Sequence, residues 1–246
     1  MWFKNYLEGR CQYVKINESF SEIFPIFTGV PQGSVLAPIL FILFINDLPL
    51  VSHRVKTILF ADDTTFSLSD NCLENLTTNA NIDLIKLQQW MVSNKLLLNV
   101  QKTTAILNSN RNTSNCPEIS LDNRILPFSN VHKFLGVIID KNLRFDEHIR
   151  AVCKKISKSI GIMYKLKNYM PQHLLISIYY SLIYPYLTYG NLIWGGTYPT
   201  HLEPLFLLQK KVVRIISKSN YLSHTDPIFS RLGLLKLPDI HIFLVS

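Results

Sequence analysis

Phe60-Ala61-Asp62-Asp63 is the stretch on which the reading of this chain turns. Two short runs rich in β-forming residues flank it, Val55 to Phe60 and Thr64 to Leu68, and a polar pair between such runs is hairpin grammar. Adjacent carboxylates repel, and a tight turn holds them best when a divalent metal sits between or above them. At the end of a hairpin Asp62 and Asp63 would present hard oxygen ligands suited to Mg²⁺, the core of a site that transfers nucleotides with two metal ions. Alone, the pair reads more readily as an ordinary exposed turn, because aspartate is common in turns.

Upstream lies a turn-rich segment with Gly29, Pro31 and Gly33. It leads into Ser34 to Leu48, where Leu36, Ile39, Leu40, Leu43, Phe44 and Leu48 recur at helical steps and predict a mostly buried helix with Pro38 in its first turn. A glycine-bearing loop that opens a helix exposes backbone N–H groups and can approach a nucleotide or template closely, with Gln32, Gly33 and Ser34 at that point. It is also an ordinary helix start. Before it, residues 2–24 predict a helix end and then a strand over Gln12 to Ile16.

Downstream, residues 73–96 predict a helix with an apolar stripe and Asp70 as a cap. Leu97 to Leu107 reads as turn and strand. Its Lys102 could protonate a leaving pyrophosphate, or be a plain surface lysine. Ile119 to Leu126 predicts a hairpin, and Lys133 to Ile139 a strand ending at Asp140. Phe134-Leu135-Gly136 places a glycine where another backbone could come near. From Phe145 the period becomes helical: Ile149, Val152, Ile156, Ile160 and Met163 form a stripe, with Arg150, Lys154 and Lys158 on a basic ridge. Helices follow around 172–184 and 202–218.

Composition narrows the classes. Hydrophobic residues make up 48% and charged ones 17%, which implies a folded chain with a genuine core. The net charge of +8 is unevenly placed: Ile149 to Asn220 holds ten Lys or Arg against one acid, Glu203. A basic lobe beside a neutral lobe with paired carboxylates points to a polyanion partner, though lysines also line solvated helix faces. Cys11, Cys72, Cys116 and Cys153 have neither zinc-ligand spacing nor the density of a disulfide scaffold, and they fit a reducing compartment. Leu174 to Thr200 is uncharged and long enough to span a membrane, but Tyr179, Tyr180, Tyr184, Tyr186 and Tyr189 through its centre, with Pro185 and Asn191, predict a buried helix and a break.

Taken together and in this order, these motifs resemble the reverse transcriptases of non-LTR retrotransposons, most closely the jockey-like elements of animals. Gly29-Val30-Pro31-Gln32-Gly33-Ser34-Val35-Leu36 with Ile45-Asn46-Asp47-Leu48-Pro49 is similar to that family's motif B. Phe60-Ala61-Asp62-Asp63 is similar to motif C, Asn99 with Lys102 to motif D, and Phe134-Leu135-Gly136 to motif E. Tyr179 through Trp194-Gly195 resembles the segment after the palm. The resemblance covers Trp2 to about Leu237 and implies a right-hand polymerase of α+β class. A partial antiparallel palm would occupy 1–145, a basic helical thumb 146–221, and a truncated segment 222–246.

The resemblance also implies roles. Asp62 and Asp63 would hold Mg²⁺ or Mn²⁺. Gln32, Gly33 and Ser34 would meet nucleotide or template, with Lys102 as general acid. Phe134, Leu135 and Gly136 would grip the primer, and Arg150, Lys154, Lys155 and Lys158 would track the backbone of an RNA–DNA hybrid. Expected partners are an RNA template, the hybrid and dNTP, in an intracellular ribonucleoprotein, nuclear or cytoplasmic, without membrane. Members of the family carry a third aspartate in motif A, before residues like Trp2 to Leu7. This chain is expected to start past it, to bind Mg²⁺ weakly, to expose a sheet edge and to be inactive alone. The competing expectation is a non-catalytic nucleic-acid-binding module. A group II intron maturase or a viral RNA polymerase fits less well, given Ala61 and the tyrosine-rich segment.

Overall fold

The computed structural model describes residues 2–109 and 117–246, so Cys116 lies outside the described residues. These residues form an α+β protein in two units, one made of residues 2–103 with 117–126, the other of 104–109 with 127–246.

The first unit opens with α1 (Trp2–Leu7) and two short antiparallel ladders. In one, β1 (Arg10–Gln12) pairs with β4 (Phe24–Ile26); in the other, β2 (Lys15–Ile16) pairs with β3 (Ser19–Phe20). Next come α2 (Ala37–Ile45), a 3₁₀ turn (Leu48–Val51), the hairpin of β5 (Lys56–Phe60) and β6 (Asp63–Ser67), and α3 (Leu73–Ser93). Asp70 does not cap α3: the cap position is Cys72, which makes no side-chain bond, and Asp70 Oδ1 instead accepts the Cys72 N–H at 2.9 Å in the turn before the helix. The small core here is Leu48, Leu87 and Met91, with Leu59 and Phe66 of the hairpin packed against it.

Asp83, fully buried on α3, is the polar anchor of this unit. Arg54 clasps it with two hydrogen bonds, Nε to Oδ2 at 3.1 Å and Nη2 to Oδ1 at 2.9 Å, and Lys86 Nζ stands 3.6 Å away. Burial alone would raise the Asp83 pKa, but hydrogen bonds from Arg54 and Ser52 and the two nearby cations hold it below the usual carboxylate range.

Two further expectations fail in this unit. The helix expected from Ser34 to Leu48 is not mostly buried: only Ile45 of α2 is, while Leu43 is 67% and Phe44 46% exposed. Its apolar residues run all round the helix, so periodic spacing did not single out one packed face. Nor does Leu97 to Leu107 form a strand. Val100–Lys102 is a 3₁₀ turn, and Ala105 makes an isolated bridge to Phe128. The hairpin within 119–126 does form, as β7 (Ser120–Leu121) and β8 (Arg124–Ile125), with Asp122 and Asn123 both left-handed between them.

The second unit begins with β9 (Val131–Phe134) and β10 (Val137–Asp140), a hairpin where the sequence predicts one continuous strand. Leu135 and Gly136, at φ 43° and 87°, make the turn. Helices follow: α4 (Asp146–Leu166), α5 (Gln172–Leu182), α6 (Tyr184–Thr188), α7 (Asn191–Trp194), α8 (Pro199–Ile216), α9 (Asp226–Leu232) and α10 (Leu237–Val245). The five apolar residues predicted to stripe α4 are all buried. They join a core that also holds Val137, Tyr179, Trp194, Val212, Phe229 and Ile240, so it runs across the expected divisions at 145 and 221. Truncating a fully buried member such as Ile156 to alanine costs about 2–5 kcal/mol.

Gln209 is buried at the centre of this core. Its Nε2 donates to Tyr179 Oη at 3.0 Å and to the Leu235 carbonyl at 2.9 Å, and its Oε1 accepts the Leu237 N–H at 2.9 Å. One amide thus ties α5, α8 and α10 together. Burial pushes the Tyr179 hydroxyl up to about 12, so it stays protonated. The tyrosine-rich stretch is broken at Ile183 with Pro185 in the first turn of α6, and no helix of the described residues is long and apolar enough to cross a membrane.

Candidate nucleotidyl-transfer and nucleic-acid site

The hairpin that carries the paired aspartates is closed by Phe60 opposite Asp63, which leaves Ala61-Asp62 as a two-residue loop. Such loops need left-handed backbone to match the strand twist, and Ala61 supplies it at φ 50°. Asp62 therefore sits in the turn, while Asp63 is the first residue of β6 rather than part of the loop. Both are exposed. Leu59 and Phe66 anchor one face of the hairpin on the core, whereas Phe60 is 59% exposed. Among the described residues, no three acidic, histidine or cysteine side chains cluster in a way that could hold a metal ion.

The loop at 29–34 belongs to the same unit. Gly29 and Gly33 are both left-handed at φ 78°, a conformation that costs glycine little. Arg10 Nη2 donates to the Gly29 carbonyl at 2.6 Å. Ser34 Oγ meets Tyr6 Oη at 2.5 Å and accepts the Ala37 N–H at 3.2 Å, so this hydroxyl is used in seating the loop on α1 and α2. Gln32 and Gly33 remain exposed. Lys102 ends the second 3₁₀ turn with its side chain exposed, and Asn99 Oδ1 accepts its N–H at 3.3 Å. Asn99 shapes the turn from which the lysine projects.

The remaining predicted residues are in the second unit. Leu135 and Gly136 form the turn between β9 and β10, and the Tyr189 hydroxyl donates to the Leu135 carbonyl. A Cβ at Gly136 would lie 3.1 Å from Tyr189 Cε1, so the close neighbour there is an aromatic ring and not a backbone. On α4, Lys154, Lys155 and Lys158 are exposed. Arg150 differs from them: its Nη2 is 2.5 Å from Asp146 Oδ2 and 3.4 Å from Glu147 Oε1, so its charge is balanced where it stands. Its hydrogen bond holds the Asp146 carboxyl below the usual range.

Sequence reasoning missed a pocket of about 580 Å³ within this unit, bordered by Lys133, Gly136, His148, Lys155, Tyr186 and Tyr189. Lys155 Nζ stands 5.2 Å from the centre of the Tyr186 ring, within cation–π range. His148 falls beside Ile149 on the buried side of α4. That placement on the apolar face was the one available signal that it is not a surface histidine.

With this geometry in place, comparison with known proteins identifies the class. A family model described as "Reverse transcriptase (RNA-dependent DNA polymerase)" matches residues 1–139. The chain belongs to the reverse transcriptase family. It is 30% identical over 246 residues to the RNA-directed DNA polymerase from mobile element jockey of Drosophila melanogaster, covering 96% of this chain and 27% of that relative. It is 29% identical over 229 residues to the probable RNA-directed DNA polymerase from transposon BS of the same species, covering 89% and 25%. The X-element counterpart is 28% identical over 222 residues, covering 87% and 24%. These relatives bear out the resemblance to jockey-like non-LTR elements. The chain spans about a quarter of their length. No solved structure matches it.

Proposed function

We propose that this chain supplies part of the palm and thumb of an enzyme that copies RNA into DNA. The observation that carries the reading is the β5–β6 tip, where Asp62 and Asp63 stand adjacent and exposed at the end of a hairpin anchored on the core. Two carboxylates with phosphate oxygens and water completing the sphere are a usual Mg²⁺ environment, so this donor pair fits Mg²⁺ or Mn²⁺. The bound metal would lower the pKa of a primer 3′-hydroxyl and offset the charge of the triphosphate. Gln32 and Gly33 would face dNTP or template, with Ser34 holding their loop. Lys102 would give its proton to departing pyrophosphate. Phe134, Leu135 and Gly136 would seat the primer end, and Lys154, Lys155 and Lys158 would follow hybrid phosphates, with Arg150 contributing less because Asp146 and Glu147 already hold it.

The chain alone is expected not to extend a primer, because the tip offers two carboxylates and a two-metal site needs a further bridging ligand. Two assays test this. Fe²⁺ with ascorbate, as a probe for the divalent site, should cleave the backbone close to residues 60–64, and Asp62→Asn with Asp63→Asn should abolish that cleavage. An uncut tip would refute the metal assignment. Primer extension on an RNA template should be absent; extension that vanishes in Asp63→Asn would overturn the inactivity while leaving the polymerase reading intact.

A second reading, a nucleic-acid-binding module without catalysis, is favoured by the exposed lysines of α4 together with the uneven charge along the chain. Salt-dependent hybrid binding with no metal cleavage at the tip would select it.

A further inference from the structure

We infer that Arg54 and Asp83 are positioning residues for the candidate metal tip, fixing where Asp62 and Asp63 stand relative to the loop at 29–34. This rests on the metal-dependent reading of that tip. Helix α3 works as the splint. Its buried residues Asp83, Leu87 and Met91 fall four apart and so lie on one face. The connection from α2 to the hairpin is fastened along that face. Trp90 Nε1 donates to Asp47 Oδ2 at 3.3 Å, just past the end of α2. Leu48, 1% exposed, packs with Leu87 and Met91. Arg54, just before β5, forks onto Asp83 and reaches back one turn with Nη1 to Asn79 Oδ1 at 2.9 Å.

Stability alone is a poor reason for this clasp. A buried ion pair gives little net stabilisation over apolar residues of similar size, whereas a guanidinium fork on a carboxylate fixes direction as well as distance. The hairpin needs that direction. Among the described residues its ladder has only two strands, which is marginal by itself, and its apolar hold on the core through Leu59 and Phe66 sets no angle. A strand rises about 3.4 Å per residue, so the turn stands roughly 17 Å beyond the start of β5 at Lys56, and a tilt of about 5° at the base moves it by roughly 1.5 Å. A working site tolerates about 0.5 Å. A clasp far from the carboxylates thus decides whether they meet one ion together.

Two readouts on the whole chain test this. With Cys11, Cys72, Cys116 and Cys153 replaced by serine, nitroxides at Val35→Cys and Phe60→Cys report the distance from loop to hairpin end by pulsed EPR. The second readout is Fe²⁺–ascorbate cleavage at residues 60–64 in the chain with its own cysteines. The decisive variant is Arg54→Met with Asp83→Leu, which removes both charges and leaves no orphaned carboxylate, so its urea midpoint should stay near the parent value. Its distance distribution should nevertheless shift or broaden by roughly 1.5 Å or more, the displacement worked from strand geometry. Cleavage should fall roughly ten-fold, the low end of what a lost outer support costs a metal site. Arg54→Lys, which keeps a cation on Asp83, should recover part of both, and it decides if the double variant unfolds. Asn81→Ala breaks the bonds from α3 to Glu118 and Ser120, away from the hairpin, and should leave both readouts unchanged. An uncut parent refutes the metal reading and the assignment with it. A cut parent whose cleavage and distances ignore the Arg54 changes, or respond equally to Asn81→Ala, overturns the positioning role alone.

Discussion

Replacing Gly190 with alanine should destabilise the second unit by about 2–5 kcal/mol, through two separable causes. Gly190 is left-handed at φ 63°, where an L-residue with a Cβ costs about 1–2 kcal/mol. The added Cβ would also lie 2.8 Å from Val137 Cγ2, well inside the roughly 3.5–4.0 Å of a normal carbon contact. Val137 is buried in β10 and cannot swing away freely, so forced repacking adds about 1–3 kcal/mol. Urea unfolding checks this in a Trp2→Phe, Trp90→Phe background, where emission comes from Trp194, fully buried and hydrogen-bonded to the Tyr189 carbonyl at 3.0 Å. With a slope of about 2 kcal/mol per molar urea, the midpoint should fall by about 1–2.5 M. In a Val137→Ala background the clash is gone, and Gly190→Ala should cost only the backbone share, about 1–2 kcal/mol. A cost that is the same in both backgrounds, or below about 0.5 kcal/mol in the first, would refute the reasoning.

Hybrid binding should weaken linearly in log–log form with salt, and Lys154→Ala or Lys158→Ala should each lower the slope by about 1, Arg150→Ala by less, as measured by filter binding. Acid should weaken the second unit. The folded-state pKa of His148 lies below its ordinary value, so the unfolded chain takes up its proton first. This contribution is complete above about pH 6.5 and shrinks as pH falls from there toward the depressed folded value. Urea midpoints at pH 7.5 and pH 5.5 should show the drop in the parent chain and a smaller one in His148→Gln.

Sequence made the helical half plain because α4 puts its apolar residues on one side: Ile149, Val152, Ile156, Ile160 and Met163 are all buried. The hairpin at 60–63 was legible for a similar reason, with a charged pair punctuating two β-rich runs. The hairpin at 131–140 was hidden. Its turn uses Leu135 in a left-handed conformation, which turn grammar does not expect of leucine, so the run reads as one strand. Helix α2 misled in the other direction, since a segment apolar all round carries no information about which face is covered. Of the site, the aspartates, the loop and the lysines could be named from local pattern. His148 and the two tyrosines beside it could not be grouped, because β9–β10, α4 and α6 meet only through tertiary packing.

Asp140 gives the second unit a stiff corner. Its Oδ1 accepts N–H groups of Asn142 and Arg144 at 3.0 and 3.2 Å, and its Oδ2 that of Phe145 at 2.7 Å. A single carboxylate thus clamps the whole connection between β10 and α4, and Phe145, left-handed at φ 59°, delivers the chain into the helix. Because three N–H groups depend on one side chain, loss of the Asp140 carboxylate would loosen the hairpin and the lysine-bearing helix together.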